Sequence, residues 1–223
     1  MLKKIFSYLY PITIYKKKSK LSSLLEITWV NGELVLDSEN TNYSYGSLQR
    51  ILRKGLKEIG FDAISKMDSV LVLGVGAGSV LRTLTDEIKC KATITGVEID
   101  AEVIEIATTY FKLDEIKNVT IINDDAFEFV LKTTEKYDLI IIDVFQDTAM
   151  PNFLFEPFFS NRIGNLLQNN GYLLFNTMLL NIEAVQRNKN YCKQFNPNEY
   201  SVRTVPKVEK HNELIIVKNC RSK

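Results

Sequence analysis

The sequence predicts an α/β fold: a doubly wound, mostly parallel sheet of seven strands with an antiparallel last strand, preceded by a small N-terminal β-hairpin. Three observations carry that prediction. Val70-Leu71-Val72-Leu73 is a continuous apolar run, as a parallel strand covered on both faces requires, and it breaks into Gly74-Val75-Gly76-Ala77-Gly78 before a helical pattern begins. Strand and helix patterns then alternate to about residue 195, which means parallel β-α-β units. Finally, Tyr200–Val205 and Leu214–Val217 are two strands with no helix between them, so they should pair antiparallel.

The elements follow in order. In Met1 to Tyr15 the apolar part is interrupted by Ser7 and Pro11, and no small-residue cleavage site follows, so the stretch is not expected to act as a secretion signal. Lys3, Lys4, Lys16, Lys17, Lys18 and Lys20 have no acidic neighbour in sequence and read as a solvated arm. Apolar runs at Leu24–Val30 and Leu34–Leu36 flank Asn31-Gly32, the strongest short hairpin signal. Asp37 to Gly46 is polar and reads as a loop, after which Ser47 would cap a helix carrying Leu48, Ile51, Leu52 and Leu56. The expected division is a basic arm and hairpin over 1–46 and a ligand-binding domain over 47–223. Strands are expected at Ser69–Val75, Thr93–Ile99, Val119–Asn123, Leu139–Val144 and Tyr172–Asn176. Helices are expected through Val80–Leu84, Val103–Phe111, Phe127–Lys132, Phe158–Gln168 and Ile182–Phe195.

Composition excludes several classes. Lys+Arg 28 against Asp+Glu 27 gives a formal charge of +1, so no overall field favours nucleic acid or an anionic surface. No apolar run is long enough to span a membrane. Cys90, Cys192 and Cys220 match neither a disulfide framework nor a zinc spacing, and no metal site is expected. The expected setting is the cytoplasm and the expected partner a small-molecule acceptor. A homodimer stays open, and neither nucleic acid nor a membrane is expected.

In such a sheet a ligand sits beyond the carboxyl ends of the strands. The alternate glycines let the backbone approach a nucleoside closely, so Gly74, Val75, Gly76, Ala77 and Gly78 are candidate binding residues. Acids fall at three successive strand ends. Glu98, beside Ile99, is placed to accept both hydroxyls of a ribose, Asp100 being the better cap for the next helix. Asp125, beside Ala126, is placed to accept an adenine amino group, though Asp124 or Asp125 also suits a helix cap. Asp143 ends an apolar run and should be buried at the reactive end of the ligand. Tyr43, Tyr45, Phe145 and Phe153 are candidate walls of an acceptor pocket, and His211 reads as a turn residue.

These residues resemble a family. Val97-Glu98-Ile99-Asp100, Asp125-Ala126-Phe127-Glu128-Phe129, Tyr137-Asp138 to Asp143, and Leu154-Phe155-Glu156-Pro157-Phe158-Phe159 with Gly171-Tyr172-Leu173 resemble the spermidine synthase, or polyamine aminopropyltransferase, family. Its sheet is the Rossmann-like one of class I AdoMet-dependent methyltransferases, and the likeness runs from about Leu24 to Asn219. It implies that Glu98 holds the ribose, Asp125 the adenine, and that Asp143 takes the proton of an attacking amine. Tyr45, Phe145 and Asp147 would meet the substrate. The departures are specific: Ala77 stands where the family has an Asp for the aminopropyl amine, Tyr45-Gly46-Ser47 lacks the family's Gln, and the second acid of Asp-x-x-Asp-Pro is displaced to Asp147. Because Ala77 removes a charge near the amino-acid tail, the leading expectation is methyl transfer from S-adenosylmethionine to a small acceptor such as an amine. Aminopropyl transfer from decarboxylated S-adenosylmethionine to putrescine is the alternative, and a non-catalytic nucleoside-binding module is a third.

Overall fold

The structure, a computed structural model, describes residues 2–38, 42–146, 149–209 and 211–221, with only the backbone of Asn42 and Tyr43. Asp147 and the Tyr43 side chain, both singled out above, lie outside the described residues. A short helix α1 (Leu2–Phe6) precedes an antiparallel sheet of four strands in the order β1 (Ile12–Lys17), β2 (Leu25–Val30), β3 (Glu33–Ser38) and β4 (Asn42–Ser44). The Asn31-Gly32 turn between β2 and β3 forms as expected, with φ of 50° and 79° at its two residues. Two readings of this region are corrected. Of the lysines read as a solvated arm, Lys16 and Lys17 lie on the edge strand β1 and pair with Glu26 and with Glu102 and Glu105, partners distant in sequence, while Lys3, Lys4, Lys18 and Lys20 are exposed. The polar stretch after β3 contains β4, paired to β3 through Leu36 and Asp37.

The main sheet holds seven strands in the order β10-β11-β9-β8-β5-β6-β7, where β5 is Ser69–Leu73, β6 Thr93–Glu98, β7 Val119–Asn123, β8 Tyr137–Ile142, β9 Leu167–Met178, β10 Tyr200–Pro206 and β11 Asn212–Asn219. Strands β5 to β9 pair parallel, while β11 runs antiparallel between β9 and β10. This is the expected class I methyltransferase arrangement. Side chains alternate between two apolar layers. Val70 and Val72 of β5 face α2 (Gly46–Ile59) and α4 (Ser79–Arg82), whereas Leu71 and Leu73 face α6 (Ala126–Lys132), α7 (Pro157–Leu166) and α8 (Ile182–Cys192). All four are fully buried, which explains why the run contains no polar residue. A third cluster seats the N-terminal sheet, through Leu25, Ile27 and Leu36, on α5 (Ala101–Phe111) and on Ala77.

Several boundaries differ from expectation, β5 ending at Leu73 and β8 at Ile142 among them. Ser47 lies inside α2, whose N-cap is Tyr45 with φ 69° and no side-chain cap. The helix at Ser79 passes after one turn into a π-helical turn, Thr83–Glu87. Strand β9 begins at Leu167, so α7 ends before Gln168; a register shift against β8 accommodates the extra length. Among the described residues no helix is long and apolar enough to cross a membrane.

Candidate active site

A cavity of about 500 Å³ opens beyond the carboxyl ends of β5, β6 and β8, within the size range of small-molecule sites. Gly74 and Gly76 form its floor. The loop must be glycine at position 74, because φ is +84° and a Cβ there would lie 2.1 Å from the Asp143 carbonyl oxygen. The glycine turn is thereby seated directly against the end of β8. Val75, Ala77 and Gly78 do not reach the cavity. Val75 contributes its backbone N–H, Ala77 is packed against the N-terminal sheet, and Gly78 closes the turn by donating to the Val75 carbonyl at 3.0 Å.

Glu98 and Asp100 share the end of β6. Asp100 caps α5, accepting from Glu102 N at 3.0 Å, and its other oxygen accepts from Ser19 Oγ. Glu98 accepts three backbone N–H groups: Val75 at 3.1 Å and Gly76 at 3.0 Å on Oε2, and Asp100 at 3.1 Å on Oε1. Burial holds its pKa above the usual carboxylate range, and those N–H groups oppose the rise. A carboxylate offers about four acceptor positions, so one remains for a ribose hydroxyl. Receiving both hydroxyls, as the sequence reading has it, requires Glu98 to release one of its backbone partners. Ile99, 44% exposed, and the buried Ala126 line the same end of the cavity and supply apolar surface for a planar base. Asp125 also lines it while capping α6 through Phe127 N at 2.7 Å, so a cap and a binding residue are the same side chain here.

At the opposite end stands Asp143. Its backbone N–H donates to the Leu73 carbonyl at 2.8 Å, the last rung joining β8 to β5, and its side chain is half-buried where it lines the cavity. Burial raises its pKa to about 7, the negative charge of Glu98 adds to the rise, and a hydrogen bond from Asn176 opposes it. Asn176 Nδ2 donates to Asp143 Oδ1 at 2.9 Å, and Asn212 Nδ2 donates to Asn176 Oδ1 at 2.9 Å. The walls here are Phe145, Gln146, Pro151, Phe153 and Met178, with Leu48 and Ile51 of α2 and Leu21 of the β1–β2 loop opposite. Phe145 and Phe153 therefore stand where an acceptor wall was expected. Tyr45 does not: its ring stacks on Phe111 at 5.0 Å, and burial raises its hydroxyl pKa.

The residues missed by sequence reasoning are chiefly amides and apolar groups. Asn176 lies two residues before the end of β9, close to the strand ends where the three acids sit, and a search around strand ends for any polar side chain would have found it. Asn212 and Leu21 carried no signal, since strand pairing and loop placement bring them in.

Among the described lining residues the charged side chains are Glu98, Asp125 and Asp143, and none is basic. Such a cavity favours a cationic ligand.

Comparison with known proteins gives the chain's family. The spermine/spermidine synthase domain matches residues 50–221. A polyamine aminopropyltransferase of Buchnera aphidicola is 27% identical over 208 residues, covering 86% of this chain and 70% of its own length. A probable polyamine aminopropyl transferase of Bifidobacterium longum is 28% identical over 149 residues, 63% of this chain but only 33% of that longer protein. Among solved structures, a probable spermidine synthase from Corynebacterium glutamicum superposes with a TM-score of 0.70 at 20% identity, over 93% of this chain and 79% of that one, a likeness of fold. The match over most of the chain settles its kinship: the protein belongs to the spermine/spermidine synthase domain family.

Proposed function

We propose that the protein is an aminopropyltransferase that takes decarboxylated S-adenosylmethionine and an amine as substrates. The observation that carries the reading is the cavity lined by three carboxylates with no basic side chain among its described residues. A sulfonium nucleoside bearing an ammonium tail suits that lining; the carboxylate of intact S-adenosylmethionine finds no cationic partner in it. The expectation of methyl transfer rested on Ala77, and Ala77 is sealed in an apolar cluster with Leu25, Ile27 and Leu36, away from the cavity. That argument for the carboxylated cofactor loses its footing, and kinship with aminopropyltransferases supports the alternative.

The chain's own residues supply binding, orientation and a proton acceptor. Glu98 receives a ribose hydroxyl on its open acceptor position, Asp125 faces the base edge, and Ile99 and Ala126 cover the ring. When bound, the sulfonium supplies an electrophilic aminopropyl carbon. Asp143 draws the cationic acceptor to that end of the cavity and takes its ammonium proton, freeing the nitrogen lone pair to attack the aminopropyl carbon while the bond from that carbon to sulfur breaks and methylthioadenosine leaves. Its carboxyl, held near neutrality by burial, is basic enough to accept a proton while still ionised in a large fraction of molecules at pH 7–8. Phe145, Phe153 and Met178 exclude water from that end.

The test is turnover with decarboxylated S-adenosylmethionine against a panel of mono- and diamines, read by mass spectrometry. An aminopropylated amine with release of methylthioadenosine is expected. A methylated amine from intact S-adenosylmethionine, with none of that product, contradicts the proposal.

A further inference from the structure

We infer that Asn176 and Asn212 are positioning residues for the Asp143 carboxylate: Asn212 fixes the amide of Asn176, which aims Asp143 Oδ1 and leaves Oδ2 open to the cavity. The inference rests on the reading of Asp143 as proton acceptor. Its basis is a chain of two directional bonds across three adjacent strands. An amide has one donor end and one acceptor end. Asn212 Nδ2 occupies the Asn176 oxygen at 2.9 Å, so the Asn176 NH₂ must face Asp143 Oδ1, also at 2.9 Å. A flip of Asn176 would set two NH₂ groups against each other and two oxygens against each other. Asn176 is fully buried, so water does not compete for its amide. Asp143 Oδ2 has no hydrogen-bond partner among the described residues, while both Asp143 and Asn212 line the cavity.

The surroundings make that single amide decisive. From β6, Glu98 faces Asp143 with a like charge, and from the loop after β5 only backbone does. On β11, the Glu213 carboxylate beside Asn212 is turned to Asn188 of α8, at 2.8 Å. The Asn176 donor is therefore the side-chain group that favours the ionised form of Asp143, against burial and Glu98. A charge-assisted bond of this kind corresponds to a shift of about one pH unit or more when lost.

The experiment follows the Asp143 carboxyl directly, by ¹³C NMR of protein labelled at aspartate, with the resonance assigned by its disappearance in Asp143→Asn. Asn176→Leu is expected to raise the titration midpoint by about one unit or more, and Asn212→Ala by less. Turnover with decarboxylated S-adenosylmethionine and putrescine should then lose activity at neutral pH in Asn176→Leu and regain it at higher pH, a profile that a merely structural defect does not produce. Unchanged midpoints in folded variants overturn the inference. Should Asn176→Leu fail to melt cooperatively, Asn212→Ala decides alone, and no shift there overturns it. Undiminished turnover in Asp143→Asn, with the NMR shifts present, refutes the base assignment instead.

Discussion

The two ends of the cavity each hold a carboxylate, Glu98 buried and Asp143 half-buried, and the two are treated differently. Glu98 accepts three backbone N–H groups from the glycine loop and from Asp100, so the turn and the acid stabilise one another. Asp143 accepts one side-chain amide and keeps an oxygen open. Both carboxyl groups are pushed upward by burial. The difference lies in what opposes the push: fixed peptide dipoles at Glu98, a single amide at Asp143. Under the proposed function, a carboxylate wired into backbone serves binding, whereas one with a single amide partner and an open oxygen is available to exchange a proton.

The largest expected effect breaks that contrast at the reactive end. Asp143→Asn should lower turnover by about 10²–10⁴-fold, the usual worth of a general base, while nucleoside affinity measured by calorimetry stays within about twofold. The same variant should gain stability. Asp143 titrates at 3.8 when unperturbed and near 7 in the folded protein, so its contribution to stability is complete below the lower value and lost as pH rises through the higher one. That loss is on the order of 4 kcal/mol. Asparagine suffers no such loss, so the variant should melt higher than the parent at pH 8, by a margin that shrinks to little as the pH falls towards 4.

Gly74→Ala strikes both ends together, since its Cβ would meet the Asp143 carbonyl and its φ is left-handed. It should cost about 2 kcal/mol or more in denaturant unfolding and impair both binding and turnover. Glu98→Ala confines the damage to the binding end. Nucleoside affinity should fall about tenfold or more, because a charge-assisted hydrogen bond to the ribose is lost and the loop loses its anchor. An unaltered dissociation constant would remove Glu98 from the site. The smallest effect is at Tyr45→Phe. With the ring stacked on Phe111, outside the cavity, the Michaelis constant for the acceptor should not change.

The Glu98 end of the cavity was legible in the sequence and the surroundings of Asp143 only in part, for a physical reason. Gly74, Glu98 and Asp125 belong to a strand-end pattern in which each residue's place follows from its own β-α unit. Their roles are local, and so they can be read along the chain. Asp143 was found by the same rule. Its environment was not, because Asn176, Asn212 and the α2 wall reach it through strand order and helix packing over separations of 33 residues and more. Tyr45 and Ala77 show the converse. Both sit in motif positions, yet the N-terminal sheet, seated by Leu25, Ile27 and Leu36, encloses Ala77, and Phe111 of α5 holds the Tyr45 ring. Lys17 departs from the solvated-arm reading because its partners, Glu102 and Glu105, lie on α5.

The most direct test of the central claim is calorimetric titration of the protein with decarboxylated and with intact S-adenosylmethionine under the same conditions. A cavity lined by Glu98, Asp125 and Asp143, with no basic side chain among its described residues, should bind the decarboxylated form at least about tenfold more tightly, since an unpaired carboxylate in such a site costs more than 1.4 kcal/mol. Equal or tighter binding of intact S-adenosylmethionine would contradict the aminopropyl-transfer account.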